Sequence, residues 1–374
     1  MLQIKTPPMG WNSWNTFGRD INEQLIFEMA DAMVEKGYRD AGYEYLVIDD
    51  CWSAKERDEN GLLVAHPEKF PHGMKAVADY VHEKGLKFGI YSCAGTQTCD
   101  SHPGSFDHEY SDAAQFASWG VDFLKYDFCF FPQSGNCINA YHTMSMALKA
   151  SGRDILFSPC NWGVNEPWTW MRSIGATMYR STGDIQDNYV SMRDILISQL
   201  GNFNLSAPYC YNDMDMLVVG MNGKGNVALG GMTETEYRTH FAAWCFFGVP
   251  LMMGADLRSV DDTSRLLMQN RELLAINQDA ECRPPFFVFK EENNQRIAAI
   301  RHLSDGSFAL GCFNLSDMDR YFSIFLKDIG IPLHSGCKVE LTNIFTGETT
   351  YHTENAHQPV FAHDCAILRG RIIK

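Results

Sequence analysis

The sequence predicts an α/β protein with two parts: a (β/α)8 (TIM) barrel over residues 1–280 and a small C-terminal antiparallel β-sandwich domain over residues 281–374. Three observations lead there. Short apolar runs alternate with amphipathic helical stretches through the first part, which points to parallel strands joined by helices. The alternation repeats eight times in about 250 residues, the usual length of a closed barrel. After "LLAINQDAECRPP" (273–285) the texture changes to short β-type runs separated by polar turns. A Rossmann sheet is the main rival, but no GxGxxG follows an early strand.

In chain order, the barrel strands are expected at "MGWNSW" (9–14), "YLVIDD" (45–50), "KFGIYS" (87–92), "FLKYDF" (123–128) and "DILFSP" (154–159). "TMYRST" (177–182), a weaker run at "APYCYN" (207–212) and "VPLMMG" (249–254) complete the set. Helices fall between them, as in "NEQLIFEMADAMVEKG" (22–37) and "GMKAVADYVHEKG" (73–85). The second of these carries apolar residues at helical spacing and ends on a glycine. In the C-terminal part, "RIAAIRHL", "SFALGCFNL", "YFSIFL", "KVELTNIF" and "CAILRGRII" read as strands, with turns such as "SDGS" and "TGET" between them. No catalytic cluster stands out there, and a packing role is the simpler reading.

Composition narrows the function. With 45% hydrophobic and 21% charged residues the chain is of ordinary globular type. A formal charge of -15 argues against nucleic acid or an anionic membrane surface as the main partner. The start "MLQIKTPPMG" has no apolar leader core, and no run reaches the roughly 20 apolar residues of a bilayer span, so a soluble cytoplasmic protein is expected. A homo-oligomer is compatible with all of this. The twelve cysteines are scattered without CxxC pairs, so buried thiols are expected rather than a structural zinc site.

A barrel does its chemistry at the C-terminal ends of its strands. Asp49 and Asp50 close the second strand, Tyr91 the third, and Lys125 and Asp127 the fourth. Arg180 ends the sixth with Asp184 just beyond; Asp213 and Asp215 follow the seventh, and Asp256 follows the eighth. Trp11, Trp14 and Trp52 lie near these ends and suit either the core or a sugar platform.

Lys125 and Asp127 are two residues apart, so they share one face of a core strand. Carboxylates nearby would hold the lysine as an ammonium, which disfavours a Schiff-base role. A carboxylate-bound metal is conceivable, yet no strand end supplies a histidine pair. Two carboxylates acting across a glycosidic bond fit better, with one attacking the anomeric carbon and the other serving as proton donor and then base. In that reading Lys125 lowers the pKa of Asp127 and fixes its rotamer, and Asp184 is the partner in a less cationic setting. Their carboxyl groups should then be about 5–6 Å apart. Each residue also has a structural alternative: a buried Lys125–Asp127 pair, a local Arg180–Asp184 bridge, or a helix N-cap at Asp184 or, better, Asp187.

At these residues the chain resembles glycoside hydrolase family 27, the α-galactosidases and α-N-acetylgalactosaminidases of clan D. The resemblance runs from "PPMGWNSWNTFG" (7–18) to "LLAINQD" (273–279), through "YLVIDDCW", "GIYSCAGTQTC", "WGVDFLKYDFC", "YRSTGDIQDNY" and "NDMDMLVVG". It implies a retaining exo-α-galactosidase with Asp127 as nucleophile, Asp184 as acid/base, and no metal or organic cofactor. It further implies a sugar subsite made by Trp14, Asp49, Asp50, Tyr91, Cys99, Lys125, Cys160, Asn161, Arg180 and Asp215. Asp49 and Asp50 would grip the 4- and 6-hydroxyls, and Cys99 and Cys129 match a bridged pair beside the site. The family's "CEW" is "CNW" here, with Asn161 for glutamate and Val164 three residues on, so N-acetylgalactosaminide is an alternative substrate. A β-L-arabinopyranoside is another. The family's "WNDPDM" proline is Met214, a tryptophan is Tyr179, "YSDAG" has Cys93, and Cys51 lacks the bridging cysteine of secreted members.

Overall fold

A computed structural model describes residues 4–374. The barrel strands are β1 (Met9–Asn12), β2 (Tyr45–Val47), β3 (Lys87–Cys93), β4 (Phe123–Asp127), β5 (Leu156–Pro159), β6 (Met178–Arg180), β7 (Tyr211–Asp213) and β8 (Leu251–Met253). One parallel sheet runs β8-β1-β2-β3-β4-β5, and β6 pairs with β7 in parallel. Single parallel bridges, Cys160 to Arg180 and Leu217 to Met253, join the two pieces into a closed ring. Helices such as Glu23–Glu35 and Gly73–Glu83 lie between the strands, as the periodicity predicts.

Every predicted barrel strand except β3 is shorter than expected, and two of them shorten for a visible reason. In 45–50 the ladder stops at Val47, where the chain turns outward to present the Asp49–Asp50 pair. In 207–212 only Tyr211 onward pairs, because Ala207 and Cys210 close a tight turn with Tyr209 at φ 76°.

The interior of the barrel answers why a core strand carries charge. Its lower layers are apolar, filled by Tyr45, Val47, Phe123, Leu156, Met178, Tyr211 and Met252 from alternate positions of the strands. The next inward positions toward the strand ends are Lys125 and Asp127. Leu124 and Tyr126 point the other way, into the helix-facing core. Charge therefore appears only above the apolar floor.

The C-terminal part is built from β9 (Phe286–Lys290), β10 (Arg296–His302), β11 (Phe308–Asn314), β12 (Arg320–Phe325), β13 (Lys338–Asn343), β14 (Thr349–His352), β15 (Asn355–Val360) and β16 (Cys365–Ile373). A six-stranded antiparallel sheet, β9-β10-β11-β16-β13-β14, faces the β12–β15 pair across a core containing Ile300, Leu310, Phe322, Ile324, Leu341 and Leu368. The barrel helix Glu234–Phe247 docks onto this sheet. Phe246 and Phe247 each contact Phe313 at 5.5 Å between ring centroids. Buried Arg301 donates from Nη1 to the carbonyls of Cys245 (3.2 Å) and Phe246 (2.9 Å), satisfying the C-terminal end of that helix.

Candidate active site

A blind cavity of about 210 Å³ opens at the C-terminal ends of the strands. Its walls include Trp14, Asp49, Asp50, Tyr91, Cys99, Lys125, Asp127, Arg180, Asp184 and Asp215, which the sequence places in the subsite. Trp11 and Trp52 do not reach it: both are core, with indole N–H groups donating to the carbonyls of Ala255 and Tyr91, each at 2.8 Å.

Asp127, at the end of β4, is buried. Its Oδ2 accepts from the Tyr91 hydroxyl at 3.2 Å and its Oδ1 from the Phe128 amide at 2.9 Å. The expected Lys125–Asp127 ion pair is not what forms. Lys125 Nζ instead donates to Asp49 Oδ2 at 2.7 Å, where Asn12 Nδ2 also donates at 2.7 Å. Lys125 and Tyr91 sit side by side, with the ammonium 5.3 Å from the ring centroid. The expected depression of the Asp127 pKa also fails. Burial pushes it up to about 6, outweighing the opposing pull of Lys125 and of the Phe128 amide. Nearby Asp49 and Asp184 add to the rise. The carboxyl is still mostly ionised at neutral pH.

The opposite wall is organised by Arg180. Its Nη2 lies 2.7 Å from Asp184 Oδ1 and 2.6 Å from Asp215 Oδ2. Asp184 therefore has a cationic partner, contrary to the expected less cationic setting, but its side chain is 64% exposed and so meets water. Asp215 is buried and held by the amides of Ile185 and Met216, each donating at 2.7 Å. Burial, opposed by Arg180, raises its carboxyl to about 7. Its backbone is in the left-handed region, φ 88°, a costly conformation for an aspartate. Asp213 Oδ1 accepts the Asp215 amide at 2.9 Å and steadies it. Asp213 itself lines a small chamber of about 30 Å³ beneath the main cavity, with Lys125 and Arg180 above.

Three further expectations change. Cys160 faces that lower chamber rather than the cavity. Asn161 is fully buried, its Nδ2 donating to the Val164 carbonyl at 2.6 Å, so it does not line the cavity. The chain turns tightly after β5, with Trp162 at φ 56°, and this turn brings Trp162 to the wall instead. Asp256 leaves the ring altogether: its carboxylate is taken by Arg258 at 2.8 Å. Asp187 is not a helix cap. Asn188 caps the helix, accepting from the Ser191 amide, while Asp187 accepts from the Tyr237 hydroxyl (2.8 Å) and the Gly223 amide (2.7 Å).

Cys99 and Cys129 are bridged beside Asp127, with Cα atoms 5.0 Å apart. Tyr91, whose hydroxyl also lies 3.4 Å from Cys99 Sγ, is thus held between the bridge and the buried carboxylate.

A family model described as Alpha galactosidase A matches residues 6–279, the whole barrel. The chain belongs to this family of glycoside hydrolases. It is 44% identical to the alpha-galactosidase A of Cellvibrio japonicus over 385 aligned positions, covering 98% of this chain and 92% of that protein. The alpha-galactosidase of Cyamopsis tetragonoloba is also 44% identical, over 92% of this chain and 81% of that one. Among solved structures, alpha-galactosidase I from Mortierella vinacea superposes with a TM-score of 0.89 at 31% identity, covering 98% of this chain and 97% of the other.

For this glycoside hydrolase the sequence reading missed part of the cavity wall. Asn15, Trp162, Gln186, Met216, Asn226 and Val227 all line it. Asn226 and Val227 come from a glycine-rich loop whose amides donate to the carbonyls of Thr16 and Asn15, each at 3.0 Å. Such a loop has no periodicity to read; only the tryptophan just after the fifth strand was a usable signal. Two groups of potential metal donors occur among the described residues. In Cys99, Asp127 and Cys129 the sulfurs are consumed by the bridge; Asp50, Cys51 and His102 form the second group, of which Asp50 also lines the cavity.

Proposed function

We propose that the chain is a retaining exo-α-galactosidase that hydrolyses terminal, non-reducing α-D-galactosyl residues by double displacement. One observation carries this reading. A blind cavity, sized for a single sugar ring, holds a buried carboxylate on its floor side and a water-exposed one at its mouth. Asp127 attacks the anomeric carbon, and Asp184 protonates the departing glycosidic oxygen. Asp184 then takes a proton from water, which breaks the glycosyl–Asp127 ester. Arg180 orients Asp184 while sharing its charge with Asp215. Lys125 and Asn12 fix Asp49, and the Cys51 and Asp100 amides, at 2.7 and 2.9 Å, fix Asp50, so both carboxylates present oriented acceptors to sugar hydroxyls. The names of the relatives support galactose as the sugar. A Saccharomyces cerevisiae alpha-galactosidase solved with raffinose, 27% identical with a TM-score of 0.88 over 99% of this chain and 98% of that one, supports an α-galactosyl oligosaccharide as substrate.

The deciding experiment follows the first-formed sugar by proton NMR. α-Galactose appearing before mutarotation is the expected result; β-galactose first overturns the double displacement. Parallel hydrolysis of the 4-nitrophenyl α-galactoside, α-N-acetylgalactosaminide and β-L-arabinopyranoside tests the sugar, with a strong preference expected for the first.

A further inference from the structure

We propose that Asp50, Cys51, Asp100 and His102 form a binding site for a thiophilic divalent cation of the zinc class, set behind the sugar cavity. The donor atoms of Asp50, Cys51 and His102 all lie within 4.8 Å of one another. Asp100 adds an oxygen: its Oδ2 lies 3.1 Å from Cys51 Sγ and 3.9 Å from His102 Nε2. Ligand atoms around a tetrahedral zinc ion are about 3.3–3.8 Å apart, given Zn–N, Zn–O and Zn–S bonds of about 2.0–2.3 Å. Asp100 Oδ2 is already near that spacing from the sulfur and the imidazole nitrogen, and the Asp50, Cys51 and His102 donors need a further inward shift to close around an ion.

The surroundings favour coordination over a plain hydrogen-bond network. Cys51 has no disulfide partner and is buried. His102 Nδ1 lies 3.4 Å from both the Ala54 carbonyl and the Ser53 hydroxyl, and metal binding would use the tautomer with the proton on Nδ1 toward that carbonyl, leaving the Nε2 lone pair on the Asp100 side. That nitrogen has no hydrogen-bond donor of its own in the group. Arg19 pairs with the other oxygen of Asp100, leaving Oδ2 for the ion. The Arg19 side chain is 75% exposed, so a swing of that arm opens a path from solvent. Lys55 Nζ, on the Asp100 carbonyl at 2.7 Å, and Lys69 Nζ, on the Cys51 carbonyl at 3.4 Å, offset part of the negative charge. On binding, the S–metal bond forms as the thiol proton leaves to solvent.

The site shares Asp50 with the sugar cavity. A bound ion would draw that carboxylate away from the substrate, so zinc should compete with galactoside; this consequence, unlike the site itself, rests on the proposed function. The test uses the full chain. Purified protein is dialysed against micromolar zinc and its metal content measured, and cobalt is titrated while the absorption spectrum is followed. One equivalent of zinc and a sulfur-to-cobalt charge-transfer band are expected. Cys51→Ser and His102→Gln, checked for folding by circular dichroism, should each weaken binding at least about tenfold. Cys337→Ser, at the partly exposed free thiol far along the chain, should not change it. No stoichiometric zinc, no charge-transfer band, or equal binding in the folded Cys51 and His102 variants overturns the proposal. In kinetics, zinc should raise KM at constant kcat in the wild type and not in His102→Gln. Binding without that change would keep the metal site and remove Asp50 from sugar recognition.

Discussion

Tyr91→Phe removes one hydroxyl and tests how Asp127, the proposed nucleophile, is kept ionised. The Tyr91 hydroxyl donates to Asp127 Oδ2 at 3.2 Å, and burial together with the Asp127 charge keeps the phenol protonated across the working range. A hydrogen bond to a charged group contributes about 1.5–3 kcal/mol, which is about 1–2 pKa units at 1.36 kcal/mol per unit. The 3.2 Å length and the competing sulfur of Cys99 at 3.4 Å place this bond at the weak end, about one unit. As the proposed nucleophile Asp127 has to be deprotonated, so kcat/KM should fall as pH drops through about 6 in the wild type. In the variant that limb should move to about 7. The ratio of wild-type to variant kcat/KM should then be about five at pH 6 and near one at pH 8, from the two ionised fractions. Initial rates on the 4-nitrophenyl α-galactoside across pH 4–9 measure it. An unmoved limb refutes the role of the hydroxyl; a loss equal at every pH would assign Tyr91 to sugar binding alone.

Asp127→Asn should abolish turnover while stabilising the fold. The native carboxyl sits at about 6, above its unfolded value, so the native state binds more protons between roughly pH 4 and 6 and stability falls as pH rises through that window. The amide removes that cost, worth at most about 3 kcal/mol at pH 7 and almost nothing below pH 4; melting curves at both pH values check it. Arg301→Met should destabilise by about 2–4 kcal/mol, because two helix-end carbonyls lose their buried donor, with thermal unfolding as the measure and little change in kcat expected. Thr233→Ala breaks the capping box with Glu236 at the start of the same helix and should cost about 1 kcal/mol in the same assay.

The strand pattern and the clustering of carboxylates were legible because both follow from periodicity: an inward position near a strand end can be counted along the chain. What could not be counted was which cation would meet which anion. Lys125 and Asp127 are neighbours on one face, yet the barrel interior brings Asp49, from the end of β2 two strands away, closer to the lysine than its own neighbour. Asp187 reads as a cap from its position before a helix, but Asn188 sits one residue nearer and a distant tyrosine hydroxyl claims the aspartate. Asn161 was misplaced because the backbone after β5 turns so sharply that the next residue, Trp162, takes its place at the wall. Asn226 and Gln186 lie in irregular segments whose course is set only by the loops they cross. The Asp50–Cys51–Asp100–His102 group escapes spacing rules for the same reason: its members come from two loops about 50 residues apart.

The ring of strands is not equally sewn. From β8 through β1 to β5 the ladder is continuous, and Asp127 stands on that stretch. The pair β6–β7, which carries Arg180 and leads into Asp184 and Asp215, is joined to the rest by one bridge on each side. Asp127 therefore stands on the continuously paired part of the ring, and Arg180, Asp184 and Asp215 on the part joined through single bridges. If Asp127 and Asp184 are the two catalytic carboxyls, the span between them that distinguishes retention from inversion is set across those bridges. Substitutions at Cys160, Leu217 and their bridge partners are then expected to change that span while leaving both carboxylates in place.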